Sequence, residues 1–438
     1  MKFSLATGLL GLSSLHMASA KYVFYVSQYY LTTFPNATVA AGVDTVIMTF
    51  ANSSYFVSPP QNYTPFEPVE TMRARFDPGV KILVAIGGWG DTEGFRKGAA
   101  TEESRKDYAK NLVDMVNTLG FDGIDIDWEY PGGNGYDYKQ VPNSDLTSEI
   151  ETYPLLLKEI KCALAGKELS IAVPGLERDM IAYTPESSPA IWEAVDYVNL
   201  MTYDLMNRRD NVTKHHADVV GSLAAVDYYI GTLGLPPAKA VLGVPFYAKW
   251  ASVDKEAGCD DGGLGCRTVL LEDAAGQDTG ESGTVTFETS SYAPPADGTN
   301  LPESPDGSCG ATAGYRCTSG NCCSQFGFCG DSADFCGSNC LKTFGLCDTD
   351  QPTVAELFQT AMANGVLDEE AGGMYYYDET NSVFWTWDDA AMIARKFEQI
   401  IKARGLAGVM AWSLTQDSYD WSRILALQAG MKSLTATA

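Results

Sequence analysis

The sequence predicts an α/β protein built on a closed, parallel (β/α)8 TIM barrel, with an α+β insertion between strands 7 and 8 that carries a small disulfide-rich module. Three observations carry this prediction. Apolar segments of strand length alternate with helix-patterned segments along the chain. Roughly 160 residues separate the seventh strand segment from the eighth, far more than an ordinary connection. Of the 11 cysteines, most fall between Cys309 and Cys347.

The predicted strands are nearly continuous apolar runs, as expected for strands buried on both faces. In chain order they are Tyr22–Gln28, Val43–Ala51, Lys81–Gly88, Phe121–Glu129, Leu169–Gly175, Val195–Asp204, Val241–Ala248 and Gly408–Leu414. The helix-patterned segments between them include Glu102–Leu119, Tyr153–Leu164, Ser222–Leu233 and Asp389–Arg404. The alternative is a doubly wound open sheet, which requires a topological switch point that we cannot locate in the sequence.

The long interval before the last strand has an organisation of its own. Aromatic and β-branched patches at Gly283–Tyr292 and Gly373–Trp387 predict a small α+β insertion rather than a loose loop. We therefore divide the chain into the following parts. They are a signal peptide at 1–20, a barrel at 21–250 and 386–438, an insertion domain at 251–305 and 349–385, and a cysteine-rich module at 306–348.

The charge, the histidine count and the absence of several motifs exclude some classes of partner and site. The chain has 30 Lys and Arg against 56 Asp and Glu, a formal charge of −26, which disfavours nucleic acid and anionic membranes as partners. Of its 3 histidines, His215 and His216 are adjacent and do not converge on one metal or nucleophile. Because HExxH, GxSxG, GxGxxG and P-loop spacings are absent from the sequence, we expect no metal and no cofactor.

The first residues are typical of a secretory signal peptide. A basic start, an apolar run from Leu5 to Leu15 and the small residues Ala18-Ser19-Ala20 predict cleavage before Lys21. We expect a secreted, extracellular and monomeric protein without a membrane span. Sequons for glycosylation occur at Asn36, Asn52, Asn62 and Asn211.

Cysteine usage also agrees with export. Outside the cluster, Cys259 and Cys266 are close enough in sequence to close a local loop. The remaining Cys162 lies in an amphipathic stretch, where we expect a buried, inert thiol.

The most informative segment is the fourth predicted strand, Phe121–Glu129. Because alternate side chains of a strand share a face, Asp125, Asp127 and Glu129 project together, about 7 Å apart. We call these three residues the carboxylate row. Burial and like-charge repulsion must keep a proton in such a row, and Glu129, at the carboxyl end of the strand, is the expected general acid. The competing interpretation is a Ca²⁺ site or pairing with Arg, but no Ca²⁺-loop spacing follows and no Arg lies nearby in the sequence.

One well-placed acid suggests a particular reaction. Glycosidases need two carboxyl groups that flank the scissile bond, whereas Asp127 lies on the same strand and side as Glu129. The second group can come from the substrate, because a 2-acetamido oxygen is able to attack the anomeric carbon itself. Asp127 would then orient the acetamide N–H, and Asp125 would share its charge or proton.

Four motifs together resemble family 18 of the glycoside hydrolases, the chitinases. Asp122–Glu129 matches the DxxDxDxE motif, Met201-Thr202-Tyr203-Asp204 resembles the strand-6 motif, and Ile86-Gly87-Gly88-Trp89 resembles the strand-3 motif. Tyr25 and Trp412 fall where the family has active-site aromatic residues. The long segment between strands 7 and 8 is similar to the chitin-insertion domain, which forms one wall of the cleft.

The resemblance implies a role for each matching residue. Glu129 would be the acid and base, Asp127 would orient the acetamide with support from Asp125, and Tyr203 would hold the acetamide oxygen. Substrate-binding residues would be Tyr25, Trp89, Tyr130, Met201, Asp204 and Trp412, with Trp412 under the reacting ring and Trp89 in a leaving-group subsite.

Two positions depart from the family pattern. Where the family has a serine on strand 3, this chain has Ala85, which removes a hydroxyl that helps Asp125 carry charge. Where the family usually has an arginine after strand 7, this chain has Lys249.

The cysteine-rich module resembles the hevein-type chitin-binding module. Cysteine spacing alone allows 105 pairings, but the resemblance implies the pairs Cys309–Cys323, Cys317–Cys329, Cys322–Cys336 and Cys340–Cys347. Family binding positions map onto Ser324, Phe326, Phe328 and Phe335. The competing interpretation is a structural or inhibitor knot.

These observations predict a secreted chitinase that hydrolyses β-1,4-linked N-acetylglucosamine polymers with retention, assisted by the substrate's own acetamide. Its partners would be chitin and chitooligosaccharides. The alternatives are a non-hydrolytic chitin-binding lectin on the same barrel and an endo-β-N-acetylglucosaminidase that acts on N-glycans.

Overall fold

A computed structural model describes residues 20–31, 34–259, 262–288, 301–310, 313–324, 326–337, 340–347, 352–418 and 420–436. Apart from Ala20, the predicted signal peptide at 1–20 lies outside these residues. No helix in the described part of the chain has both the length and the apolar character needed to cross a membrane.

The strands form a barrel, an antiparallel sheet and a small ribbon. In chain order they are β1 Lys21–Ser27, β2 Thr45–Ala51, β3 Lys81–Gly87, β4 Gly123–Asp127, β5 Glu168–Pro174, β6 Tyr197–Met201, β7 Ala240–Pro245, β8 Tyr247–Ser252, β9 Ser282–Thr286, β10 Cys322–Cys323, β11 Cys329–Gly330, β12 Val366–Asp368, β13 Gly373–Asp378, β14 Val383–Trp387 and β15 Gly408–Trp412. Strands β1–β7 and β15 close into a barrel in the order β1-β15-β7-β6-β5-β4-β3-β2. Every neighbouring pair in this barrel is parallel, which confirms the predicted (β/α)8 fold.

The α-helices of the described residues are α1 Val69–Arg73, α2 Glu93–Ala99, α3 Glu102–Leu119, α4 Ser148–Ala163, α5 Ser188–Ala194, α6 Val219–Asp227, α7 Ala333–Cys336, α8 Val354–Ala363, α9 Ala390–Lys396 and α10 Ser422–Ala436. Most of them surround the barrel, whereas α7 contacts β10 and β11 in the cysteine-rich module and α8 contacts β9 and β13 of the insertion. The bounds of α3 are those predicted, because strong signals stop it at both ends. Thr101 and Ser104 form a capping box at its start, and Gly120 ends it in the left-handed conformation at φ 84°.

The insertion is built on a five-stranded antiparallel sheet with strand order β12-β13-β14-β8-β9. The sequence predicted one strand from Val241 to Ala248, which is wrong, because β7 ends at Pro245 and β8 starts at Tyr247 in the other sheet. The change of sheet takes the single residue Phe246, whose N–H donates to Trp412 O at 2.7 Å. Both halves of the run are buried, so hydropathy does not mark the boundary.

The cysteines pair as the sequence resemblance implies. Disulfides join Cys309–Cys323, Cys317–Cys329, Cys322–Cys336 and Cys340–Cys347, and a fifth joins Cys259–Cys266. The expectation for Cys162 is wrong, because this free cysteine is exposed. It lies near the end of α4, where Ile160 and Leu164 face the core instead.

Candidate active site

A cleft of about 530 Å³ opens at the carboxyl ends of the barrel strands. In parallel barrels this end carries the binding site, because the loops that follow the strands converge there. The lining includes Tyr25, Phe50, Trp89, Asp127, Glu129, Tyr130, Met201, Tyr203, Asp204, Tyr247, Lys249 and Trp412. The insertion contributes one side of the same cleft through Leu271, Asp278 and the start of β9.

The carboxylate row lies as the period of a strand requires. Asp125 and Asp127 are on β4 and are 0% and 3% exposed, whereas Glu129 follows the strand and is only partly buried. Their neighbours Ile124, Ile126 and Trp128 belong to the core behind the barrel wall. Asp125 is therefore deepest, and Asp127 and Glu129 border the cleft.

Asp125 is surrounded by hydrogen-bond donors from three other strands. Its Oδ2 accepts from Tyr25 OH at 2.9 Å, and its Oδ1 accepts from Ser170 Oγ at 2.6 Å and from Asn199 Nδ2 at 3.2 Å. Burial raises the pKa of Asp125 to about 6, against the opposing effect of these three bonds. Ala85 is paired with Asp125 on the β3 side, and Ser170 is paired with it on the β5 side. Ser170 on β5 thus supplies Asp125 with the kind of hydroxyl that Ala85 on β3 lacks.

The other two members of the row retain protons more strongly. Burial, together with the negative charges of Glu129 and Asp125, raises the pKa of Asp127 well above its ordinary value. Burial also raises the pKa of Glu129 to about 8, with smaller contributions from the charges of Asp204 and Asp179 and an opposing hydrogen bond with Tyr130. Since the groups interact, their protons belong to the row, and at neutral pH at least one proton is held there.

Asp127 also has an unused acceptor. Within the described residues its Oδ1 is buried and has no hydrogen-bond partner. A buried carboxylate oxygen without a donor is costly. Because Asp127 borders the cleft, a bound molecule with an N–H or O–H group can supply the missing donor.

Asp204 forms a second acidic position on the other side of the cleft. Its Oδ1 accepts from Tyr247 OH at 2.7 Å and lies 3.0 Å from Lys249 Nζ. Burial acts to raise the pKa of Asp204, but the charge of Lys249 and the bond from Tyr247 outweigh it and lower the pKa. Behind this group, burial lowers the pKa of His216 to about 3, so the ring stays neutral. Asp204 is therefore held as an anion at neutral pH.

Aromatic rings line the cleft on both sides of the carboxylate row. Trp412 lies 5.4 Å from Tyr25 and is stacked with Phe50 at 5.5 Å, measured between ring centres. Trp89 lies 6.3 Å from Tyr130 and is 48% exposed. A flat ring of this kind suits the C–H face of a pyranose.

Two further predicted residues stand between these groups. Tyr203 and Met201 are buried in the cleft lining, and the ring of Tyr203 lies 6.1 Å from that of Tyr247. All ten barrel residues that the sequence singled out lie in this region: Asp125, Asp127, Glu129, Tyr203, Tyr25, Trp89, Tyr130, Met201, Asp204 and Trp412.

Sequence reasoning missed several residues of the site. Ser170, Asn199 and Tyr247 hold the acidic groups, and Arg209 braces the loop that follows β4. A polar residue inside an apolar strand was the available signal for Ser170 and Asn199. Tyr247 carried no such signal, because an aromatic residue at a strand start is ordinary core.

The four predicted binding residues of the cysteine-rich module differ in their solvent exposure. Phe326 and Phe328 are 72% and 59% exposed, as a binding surface requires. Phe335 is only partly exposed and packs against Gly330, where a Cβ would lie 2.5 Å from its ring. Ser324 is buried, and its Oγ accepts from Phe328 N–H at 3.3 Å.

The described residues contain one group of cysteine, histidine or acidic side chains close enough to share a metal. It consists of Cys309, Cys317 and Cys329, and all three sulfurs are in disulfides. Oxidised sulfur offers no thiolate to a metal.

Comparison with known proteins places this geometry in context. The model of the glycosyl hydrolases family 18 matches residues 21–417. A chitinase A1 of Niallia circulans is 26% identical over 363 residues, which cover 78% of this chain and 41% of that protein. An endochitinase 1 of Metarhizium robertsii is 33% identical over 183 residues, which cover 39% of this chain and 41% of that protein. The chain thus spans well under half the length of these curated relatives.

Solved structures agree on the fold. A chitinase of Rhizomucor miehei superposes with a TM-score of 0.63 at 21% identity, covering 94% of this chain and 99% of that one. A group IV chitinase of Ostrinia furnacalis in complex with allosamidin gives a TM-score of 0.61 at 21% identity, covering 95% and 99%.

Proposed function

The chain belongs to family 18 of the glycosyl hydrolases, and from this premise we propose that it is a secreted chitinase that cleaves β-1,4-linked N-acetylglucosamine polymers with retention. The observation that carries the proposal is the position of Glu129. It stands at the cleft end of a buried carboxylate row, its pKa is raised to about 8 by burial, and it lines the cleft together with Tyr203 and Trp412. A carboxylic acid that stays protonated at neutral pH can act as a general acid.

The first step uses this proton. Glu129 donates it to the bridging oxygen between two sugars, while the acetamide oxygen of the sugar over Trp412 attacks its own anomeric carbon. The C–O bond to the leaving group breaks, and an oxazolinium ring forms on the retained sugar. Asp127 accepts the acetamide N–H on its unused oxygen, and Tyr203 holds the acetamide oxygen in line.

The second step reverses the proton transfer. Glu129, now a carboxylate, takes a proton from water, and the resulting hydroxide opens the oxazolinium ring from the face that the leaving group left. Asp125 shares the charge and proton of the row with Asp127 during this cycle, supported by its three donors. Asp204, held as an anion by Lys249, binds a sugar hydroxyl.

We propose the domain division that the sequence predicts, except that the insertion begins with β8 at Tyr247 and ends with β14 at Trp387, with export through residues 1–20 and chitin binding by the module at 306–348. The disulfides of the described residues support an oxidising compartment. The exposed rings of Phe326 and Phe328 support binding of an extended sugar chain.

The proposal is tested with Glu129→Gln, which keeps the size of the side chain but removes its acid. On a fluorogenic chitobioside we expect kcat to fall by about 10²- to 10⁴-fold, the contribution of a general acid and base. The matched control is Glu151→Gln, which changes an exposed glutamate of α4 and should leave kcat unchanged. Wild-type activity in Glu129→Gln, or no turnover by the unaltered protein, would reject the proposal.

The role of the module is tested separately by deleting 306–348. We expect lower activity on insoluble chitin and unchanged activity on soluble oligomers, because only the insoluble substrate needs anchoring. An equal loss on both substrates would mean that the module is structural.

A further inference from the structure

The side chain of Arg209 joins four loops on one side of the cleft. Arg209 lies in the loop after β6, lines the cleft and is only 12% exposed. Its guanidinium lies 5.7 Å from the centre of the Trp89 ring, in the loop after β3, and 3.9 Å from that of Tyr138, in the loop after β4. It also pairs at 3.2 Å with Asp179, in the loop after β5. The loops that follow four consecutive strands therefore meet at one side chain.

Arg209 also binds the main chain of the loop after β4. Its Nη2 donates to Asn134 O at 2.8 Å and to Gly135 O at 3.1 Å. Asn134 has a left-handed backbone, with φ at 63°, and its side chain donates to Arg178 O at 2.6 Å. The guanidinium thus fixes two successive carbonyl groups of this loop.

The part of the loop that Arg209 holds packs against the proposed general acid. A Cβ added to Gly135 would lie 2.5 Å from Glu129 O and 3.1 Å from Tyr130 N, so Gly135 touches the peptide that joins these two residues. Glu129 lies two residues beyond the end of β4, outside the ladder that holds the rest of the carboxylate row. Because protein interiors are closely packed, a shift of the main chain at Gly135 is passed on to Glu129.

Arg209 is itself held by the loop after β6. Its N–H donates to Asn207 Oδ1 at 3.1 Å, and the N–H of Asn207 donates to Asp210 Oδ2 at 2.8 Å. The other oxygen of Asp210 lies 3.0 Å from Lys214 Nζ. The guanidinium therefore starts from a braced main chain and can act as a fixed point for the loop after β4.

The partner Asp179 requires a cation at this position. Asp179 is 4% exposed, and burial raises its pKa against the opposing charges of Arg209 and Arg178. The removal of one partner from a buried ion pair is costly, because the other charge stays behind uncompensated. Arg209 thus balances a buried charge as well as holding the loop.

We propose that Arg209 is a positioning residue of the reaction, which holds the main chain of Glu129 where the acid reaches the bridging oxygen. It acts through Gly135 and touches no reacting atom. Arginine suits this place because its rigid fork of donors can bind a carboxylate and two carbonyl oxygens at once. The inference rests on the proposed function and adds a residue to the same site.

The test compares two aryl chitobiosides in the full chain with and without Arg209→Met. Phenolate is a poor leaving group that needs the proton of Glu129, whereas dinitrophenolate leaves without it. Since kcat/KM reports the first irreversible step, a displaced acid lowers it only for the poor leaving group. We expect Arg209→Met to lower kcat/KM about tenfold or more on phenyl chitobioside and less than about threefold on dinitrophenyl chitobioside.

Three further variants accompany the test. Arg209→Lys keeps the charge beside Asp179 but not the fork, so we expect the same selective loss at about threefold. Glu129→Gln removes the acid itself and sets the upper limit of the selectivity. The matched control is Arg404→Met, which removes a guanidinium bound to Asp227 at 2.6 Å before the start of β15, at the other end of the barrel. It should leave the ratio of the two kcat/KM values unchanged.

The outcomes separate the inference from its premise. An equal loss on both substrates, or no loss on either, would show that Arg209 does not position the acid and would overturn the inference. If urea titration shows that Arg209→Met is unfolded, the same comparison with Arg209→Lys decides, and an equal loss there also overturns it. If the unaltered protein cleaves neither chitobioside, the proposed function fails and the inference fails with it.

Discussion

Replacement of Ser170 by alanine tests how the barrel supports a buried carboxylate. Ser170 is fully buried on β5, and its Oγ donates to Asp125 at 2.6 Å, in a chain where position 85 on the opposite strand offers no hydroxyl. We expect Ser170→Ala to raise the pKa of Asp125, because the charged carboxylate loses its shortest hydrogen bond.

The size of the effect follows from the geometry. A hydrogen bond to a charged group contributes about 1.5–3 kcal/mol, and one pKa unit corresponds to about 1.4 kcal/mol. The pKa of Asp125, about 6 in the unaltered protein, should therefore rise to about 7–8 in the variant.

The consequence for stability depends on pH. Because the folded pKa of Asp125 lies above its ordinary value of 3.8, the folded state binds more protons than the unfolded state, and stability is lost as the pH rises from about 4 through the folded pKa. At pH 5 Asp125 is protonated in both folded proteins, so the variant loses only a neutral hydrogen bond. At pH 8 the variant should lose about 1–2 kcal/mol more, since its Asp125 ionises less readily.

The measurement is urea unfolding at pH 5 and pH 8, monitored by tryptophan fluorescence. Ser188→Ala is the matched control, because Ser188 is equally buried but its Oγ has no hydrogen-bond partner among the described residues. Its loss of stability should be the same at both pH values. If Ser170→Ala also lost the same free energy at pH 5 and pH 8, the assignment of Ser170 to the charge of Asp125 would be wrong.

Three further predictions concern the cleft and the module. Asp204→Asn removes a negative charge that raises the pKa of Glu129, so the alkaline limb of kcat/KM, near pH 8 in the unaltered protein, should move to lower pH; an unmoved limb contradicts this. Tyr203→Phe should lower kcat on chitooligosaccharides by about 10²-fold through loss of one donor to the acetamide oxygen, and a change confined to KM would assign Tyr203 to binding alone. Phe326→Ala with Phe328→Ala should weaken binding to insoluble chitin in a pull-down without altering soluble turnover, and unchanged retention would exclude these exposed rings from the surface.

Much of the fold could be predicted because local signals agreed with the global structure. The barrel strands are long apolar runs, and helix α3 has both a capping box and a terminal Gly120. The break between β7 and β8 was missed because the run stays apolar and buried on both sides of Phe246; Pro245, which ends β7, was the available signal. The exposure of Cys162 was missed because the apolar periodicity of α4 places this residue at the border of the buried face. Periodicity alone does not determine whether a side chain at that border points to the core or to solvent.

Some residues of the candidate site could likewise be predicted from the sequence, and others could not. Asp125, Asp127 and Glu129 could be placed together because a period of two puts them on one face of one strand. Ser170 and Asn199 reach Asp125 only through the register of neighbouring strands, which a single sequence does not reveal. The contact between Tyr138 and Glu272 joins positions 134 residues apart in irregular segments, where no periodic signal exists.

The short connection through Phe246 determines whether the barrel and the insertion can be separated in an engineered variant. Tyr247 and Lys249, the two residues that hold Asp204, belong to the first strand of the insertion and not to the barrel. A minimal scaffold made by excising the insertion would therefore lose the two side chains that hold Asp204, the residue proposed to bind a sugar hydroxyl. Domain-transfer experiments should therefore keep the barrel and the insertion together and exchange only the cysteine-rich module.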